Sequence, residues 1–220
     1  MFENIIKNVH NRHPLIHCIT NYVSINDCAN IVLACGGAPI MAEDINEVSQ
    51  ITSICQGLDI NIGMLNDNKL SSMLKAGATA NELGIPVILD PVGAGSSDYR
   101  IKAVQNLMSN VQFGVIRGNV SEIKAIAAKQ GIHNIAAGVY ETMQKNKSAM
   151  GVEAGIADKI TDDNIKEMAD FINKLSQKTG AVIAVTGGID MVADENRVYA
   201  IRNGHKMMSL VTGAGCQLSA

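Results

Sequence analysis

Pro86-Val-Ile-Leu-Asp90-Pro-Val-Gly-Ala-Gly95 is the stretch from which the fold can be read. Its aliphatic run, Pro86–Leu89, reads as a strand buried on both faces, and Asp90-Pro91 ends it. Such strands sit inside parallel sheets, between helices. The flanks agree. Upstream, Asn66–Leu83 has the pattern of a long helix stopped by Gly84. Downstream, residues 101–109 are helical, Phe113–Ile116 is a strand and Asn119–Gln130 a helix. Asn119 and Glu122 stand at the spacing of a capping box, which accounts for the pair without any chemistry.

Farther out the alternation continues. Leu15–Thr20 reads as a strand, Ser24–Ala34 as a helix, Pro39–Met41 as a strand, Asp44–Cys55 as a helix and Leu58–Ile62 as a strand. Residues 131–161 show no clear period and read as an irregular connection with partial helix. Asp162–Lys178 is an amphipathic helix stopped by Gly180. Strands over Ala181–Val185, Ile189–Ala193 and Arg197–Ile201 follow, the last two joined by a turn at Asp194-Glu195-Asn196. The pattern implies an α/β fold: a mostly parallel central sheet, helices on both faces, and an antiparallel edge. No Pro- or Ser-rich linker divides the 220 residues, so a single α/β domain over 1–220 is expected.

Composition narrows the function. Hydrophobic residues make up 47% and charged residues 18%, against about 25% charged in average proteins, which excludes disorder and favours an oligomer. Net charge is −3, with four Tyr, three Phe and no Trp, so there is neither the basic stripe nor the stacking aromatics that nucleic acid requires. The longest apolar uncharged stretch, between Asp27 and Glu43, is broken by Gly36, Gly37 and Pro39 and is too short to span a membrane. Met1-Phe2-Glu3-Asn4 does not open a signal peptide, and a cytoplasmic protein is expected. Five cysteines without a C-x-x-C pair suggest neither a disulfide framework nor a zinc site. Cys28 and Cys35, seven apart on one helix face, read as core thiols.

Open α/β sheets bind ligands beyond the carboxyl ends of their strands. Those positions hold Thr20-Asn21, Met41, Asp90–Gly95, Arg117–Glu122, Thr186-Gly-Gly188 and Thr212–Cys216. Gly213-Ala214-Gly215, before a helix start, is a candidate anion cradle built from backbone N–H groups. It is neither a Walker loop nor a dinucleotide fingerprint, and on its own it reads as an ordinary turn. Cys216 falls in the first turn of that helix, where a thiolate is favoured and could accept a proton from a substrate hydroxyl; the alternative is a small packed residue. Asp90 and Glu122 suit Mg²⁺ held through water, or else serve as a turn former before Pro91 and a helix cap. Arg117 could pair with nucleotide phosphates or form a surface ion pair.

Together these signals resemble the hydroxyethylthiazole kinase family, the thiamine-salvage branch of the ribokinase-like superfamily. The resemblance is carried by His17-Cys-Ile-Thr-Asn-Tyr-Val23, Asn26-Asp-Cys-Ala-Asn30, Pro39-Ile-Met-Ala42, Asn61-Ile-Gly63, Ala80-Asn-Glu-Leu-Gly84, Leu89–Gly95, Val115–Ile123, Asn203-Gly-His205 and Gly213–Ala220. It implies a three-layer ribokinase-like fold and transfer of the ATP γ-phosphate to the primary alcohol of 4-methyl-5-(2-hydroxyethyl)thiazole. It also implies a homotrimer with active sites at subunit boundaries. By matched position, Asn21, Met41 and Gly213 would contact the thiazole, and Arg117 and Thr186 would contact ATP. Asp90 and Glu122 would hold Mg²⁺, and Cys216 would be the catalytic base, where most of the superfamily carries Asp.

Three departures stand out. Ala214 replaces a usual Thr, leaving the backbone donors intact. Gly188 follows Thr186-Gly187 where Glu is expected, which would loosen the nucleotide side. The sequence stops four residues after Cys216, where the family continues through further helices. A chain ending there is expected to be a crippled kinase or a ligand-binding remnant. Competing assignments are a hydroxymethylpyrimidine or pyridoxal kinase and an NAD(P)H-hydrate dehydratase of the same fold. Both typically carry Asp at the position of Cys216, and the kinases also lack the Ile19-Thr-Asn-Tyr22 string.

Overall fold

The computed structural model describes residues 2–131 and 159–220, so the irregular connection expected over 131–161 lies almost wholly outside the described residues. In chain order the elements are α1 (Phe2–Arg12), β1 (Leu15–Ile19), α2 (Ile25–Ala34), β2 (Ala38–Ile40), α3 (Val48–Ile54), β3 (Gly57–Asn61), α4 (Asp67–Leu83) and β4 (Val87–Asp90). They continue with α5 (Asp98–Asn110), β5 (Val115–Asn119), α6 (Val120–Lys129), α7 (Ile165–Thr179), β6 (Val182–Thr186), β7 (Asp190–Ala193), β8 (Val198–Ile201), a 3-10 turn (Lys206–Leu210) and α8 (Ala214–Ser219). They fall into two compact units. The first runs to Asp90 and includes Leu107–Gln112 and Lys206–Ala220. The second comprises Pro91–Asn106 and the described residues from Phe113 to His205.

In the first unit the strand order is β2-β1-β3-β4, every pair parallel. β3 is buried along its whole length, as a strand covered on both faces must be. Side chains alternate across β1. His17 meets Thr52 of α3 on one side, while Thr20, just past the strand, approaches Cys28 of α2 on the other. α3 packs on α4 beneath β1, and α8 packs against α2 and β4. Leu58, Ile60, Met73, Ala76 and Leu89 fill the core; each large aliphatic side chain contributes about 1.5–3 kcal/mol by leaving water.

In the second unit β5 and β6 are parallel, and β7 and β8 extend them antiparallel, as the late hairpin required. Asp194 shapes the turn by accepting the Asn196 and Arg197 amides at 2.8 and 2.7 Å. α7 buries Met168, Phe171, Ile172 and Leu175, a stripe at helical spacing, and ends at Gly180 in the left-handed region.

Several boundaries differ from expectation. Residues 44–47 form a turn instead of helix, because the Asp44 carboxylate accepts the Asn46 amide at 2.8 Å and competes with the helical ladder. Arg117 and Thr186 lie within β5 and β6, not beyond them, since Arg117 pairs in register with Ala184 and Asn119 with Thr186. α1 has no counterpart in the sequence reading.

Candidate active site

The chain leaves β1 for β2 on one side and returns as β3 on the other. The order therefore reverses between β1 and β3, and the crevice past their carboxyl ends is where such sheets hold ligands. Asn21 follows β1, and Asn61 ends β3. Both are buried, and the Asn21 Nδ2 donates to the Asn61 Oδ1 at 3.2 Å.

That contact belongs to a longer chain of polar groups. The Asn61 Nδ2 donates to the Asp90 Oδ2 at 3.0 Å, and the Ser219 hydroxyl donates to the same oxygen at 2.8 Å. In the other direction, the Asn21 Nδ2 also donates to the Cys216 Sγ at 3.2 Å. The Asn21 Oδ1 accepts from the amides of Val23 and Ser24 at 3.1 and 3.2 Å and from the Ser24 hydroxyl at 3.2 Å. With both ends of its amide engaged, Asn21 is fixed in orientation, and it fixes the sulfur beside it. Asp90, Asn61, Asn21, Cys216 and Ser219 form one buried network.

Gly213 caps α8 at φ +75°, and a Cβ there would lie 2.6 Å from the Ser24 Cβ. Both the conformation and the close approach require glycine. The Ala214 amide donates to the Val211 carbonyl at 3.4 Å, so an anion at this turn would draw chiefly on the amides of Gly215 and Cys216. Met41 follows β2 half-buried. Its neighbour Ala42 is held through its carbonyl by the His17 Nε2 at 2.8 Å, while the His17 Nδ1 meets the Thr52 hydroxyl at 2.9 Å. Burial lowers the His17 pKa, outweighing the Ala42 hydrogen bond and the charge of Glu47, so the ring is neutral and bridges the two groups.

In the second unit the two residues matched to ATP contact meet directly: the Arg117 Nη2 donates to the Thr186 Oγ1 at 2.8 Å. Glu122 closes the capping box, its Oε2 accepting the Asn119 amide at 2.8 Å while the Asn119 side chain accepts the Glu122 amide at 2.9 Å. Its Oε1 accepts the Gly93 amide at 2.8 Å, tying the glycine loop to the start of α6. The helix-cap alternative for Glu122 is thus realised, and each oxygen keeps a second lone pair.

Among the described residues no group of three or more His, Cys, Asp or Glu side chains gathers to hold a metal. Asp90 and Glu122 each present carboxylate oxygens, donors of the kind that Mg²⁺ takes.

Asn21, Asp90 and Cys216 are therefore brought into one network, and Arg117 and Thr186 into another contact. Gly213 borders the first network through Ser24, and Met41 follows β2, the strand beside β1. The sequence reading gave no role to Asn61, although its place at a strand end is the same signal that singled out Asn21. Ser219 and Ser24 carried no such signal.

The strand topology and the polar strand ends define the class, an α/β protein with a ligand crevice past its parallel strands, and its fold is ribokinase-like. A ribokinase-like superfamily protein from Enterococcus faecalis superposes with a TM-score of 0.55 at 10% identity, over 93% of this chain and 68% of that one. A phosphomethylpyrimidine kinase from Clostridium difficile does so at 0.57 and 12%, over 93% and 98%; at these identities the likeness is one of fold. The family is sharper: the model of the hydroxyethylthiazole kinase family matches residues 6–220, and the chain belongs to that family. It is similar to a hydroxyethylthiazole kinase from Clostridium acetobutylicum, 52% identical over all of this chain and 75% of the relative. One from Methanobrevibacter smithii is 44% identical over 98% of this chain and 72% of the relative. The solved hydroxyethylthiazole kinase structure from Pyrococcus horikoshii superposes with a TM-score of 0.81 at 32% identity, over 98% of this chain and 72% of that one.

Proposed function

We propose that the protein transfers the γ-phosphoryl group of ATP to the primary alcohol of 4-methyl-5-(2-hydroxyethyl)thiazole, giving the thiazole phosphate and ADP. The single observation that supports the assignment of roles is the Asn21–Cys216 contact, which holds the sulfur beside the residue that follows β1. In this reading Asn21, Met41 and Gly213 bind the thiazole alcohol, and Arg117 and Thr186 bind the nucleotide.

The hydroxyl oxygen forms the new bond to the γ-phosphorus as the bond to the β–γ bridging oxygen breaks. The proton of the hydroxyl passes to Cys216 reacting as its thiolate, which becomes the thiol. Asp90 and Glu122 would hold Mg²⁺, whose charge would offset that of the phosphates. Phosphoryl transfer asks a protein mainly for position and charge stabilisation. The amides of Gly215 and Cys216 would therefore matter more than the base, by donating to oxygens where charge collects.

The active form in this reading is a cytoplasmic homotrimer with sites at subunit boundaries. Support comes from apolar side chains left at the surface of the first unit, Val23, Met207, Leu210 and Leu218, which a second copy would cover. Among the described residues no helix is long and apolar enough to cross a membrane.

The test is release of ADP from ATP. It should require both the thiazole alcohol and Mg²⁺, and Asp90→Asn should remove most of it while leaving the fold cooperative. ADP release indifferent to the alcohol would sink the proposal.

A further inference from the structure

One ammonium group sits beneath the loops that carry the substrate-side residues. Lys69, in the first turn of α4, is only 3% exposed. Its Nζ donates to the Thr20 carbonyl at 2.6 Å and pairs with the Glu43 Oε2 at 2.8 Å. It also lies 4.4 Å from the centre of the Tyr22 ring. The Tyr22 hydroxyl in turn donates to the Glu43 Oε1. Thr20 immediately precedes Asn21, and Glu43 stands two residues beyond Met41.

A buried ammonium with one carboxylate, one carbonyl and one ring face around it has every favourable direction occupied. It is anchored from below, because Asn66 caps α4 by accepting the Lys69 amide at 2.9 Å. The Glu43 carboxyl shows the strength of the arrangement. Its partial burial acts to raise the pKa, yet the hydrogen bonds from Lys69 and Tyr22 prevail and hold it below the ordinary value.

We infer that Lys69 is a positioning residue for the alcohol substrate, acting with Glu43 and Tyr22 to lock the loop bearing Asn21 against the loop bearing Met41. The inference rests on the proposed function for its substrate and on the geometry for its cause. Lys69 touches no reacting atom. It sets the distance between two loops that must close on the same small molecule, so its loss weakens binding of the alcohol and leaves the nucleotide side alone.

The test compares wild type with Lys69→Met, Glu43→Gln and the double variant. Glu43 is 40% exposed at its side chain, so Glu43→Gln keeps the protein folded even where Lys69→Met does not. The expected result is a KM for the alcohol raised about tenfold in Lys69→Met and threefold or more in Glu43→Gln, with the KM for ATP within twofold of wild type. The double variant should be no worse than Lys69→Met, since the two side chains act as one unit.

An equal rise in both KM values, or additive losses, would overturn the inference. If the wild type phosphorylates a different alcohol, the functional reading falls, and the same comparison is made with that alcohol. If it phosphorylates none, amide hydrogen exchange in residues 20–23 and 41–44 decides. Faster exchange in Glu43→Gln at both segments supports the lock, and unchanged exchange overturns it.

Discussion

The Asn21 side-chain amide lies 3.2 Å from the Cys216 sulfur, joining the first strand-end loop to the last helix across 195 positions of sequence. The contact gives Cys216 a fixed direction and a hydrogen-bond donor, and it makes the pair a unit. General-base assistance contributes about 10²–10⁴-fold in typical enzymes. Cys216→Ala should therefore keep measurable turnover, reduced by no more than that range. Cys216→Asp should stay active or improve, since a carboxylate accepts the Asn21 amide equally well. Steady-state kinetics check both; a folded but dead Cys216→Asp protein would count against the sulfur as proton acceptor.

Gly213 is expected to be intolerant of the smallest change. Gly213→Ala puts a methyl group 2.6 Å from the Ser24 Cβ at φ +75°, and strain of this kind costs about 1–3 kcal/mol. Thermal melts should show the loss, and kcat/KM for the alcohol should fall with it. Ala214→Thr, which alters no backbone donor, should leave both near wild type. Equal tolerance at the two positions would contradict the role given to this turn.

The nucleotide side has its own signature. Thr186→Val removes the acceptor that holds the Arg117 guanidinium at 2.8 Å, and the KM for ATP should rise several-fold with the KM for the alcohol unmoved. Arg117→Ala should raise it further, by about tenfold or more, because a charge-assisted phosphate contact goes with it. A change confined to the alcohol would place Arg117 on the wrong substrate.

Much of this was legible in the chain because it is written locally. Gly84 and Gly180 stop α4 and α7 in the left-handed conformation, and the Asn119–Glu122 capping box forms as its spacing dictates. Asp90 and Asn21 were found because strand ends in a parallel sheet converge. The strand ends read at Ile116 and Val185 fall short, since only pairing partners fix that β5 runs to Asn119 and β6 to Thr186. Ser219 and Lys69 were invisible for a different reason. A serine near the chain end and a lysine in a helix look like solvated residues until the fold places Asp90 beside one and Glu43 beside the other.

Asp59 conflicts with its surroundings. It is 1% exposed on β3, level with Cys18 on β1, and neither carboxyl oxygen has a hydrogen-bond partner among the described residues. Burial, and then the charge of Asp90, push its pKa well above the ordinary carboxylate value. Below about pH 4 the carboxyl is protonated in both folded and unfolded chains and affects neither. As pH rises from there toward the raised folded value, the unfolded chain loses the proton while the folded chain retains it, and stability falls. Asp59→Val should raise stability by about 1–3 kcal/mol at neutral pH and flatten that decline. Denaturant titrations at several pH values check this, and an unchanged pH slope would mean that Asp59 has a partner in solution.

The most direct measurement is a competition. The purified protein is incubated with Mg²⁺, ATP, the thiazole alcohol and hydroxymethylpyrimidine together, and mass spectrometry identifies which alcohol has gained a phosphate. The expected product is the thiazole phosphate alone, made by wild type and lost in Asp90→Asn. Phosphorylated pyrimidine in its place would contradict the assignment of Asn21, Met41 and Gly213 to a thiazole site.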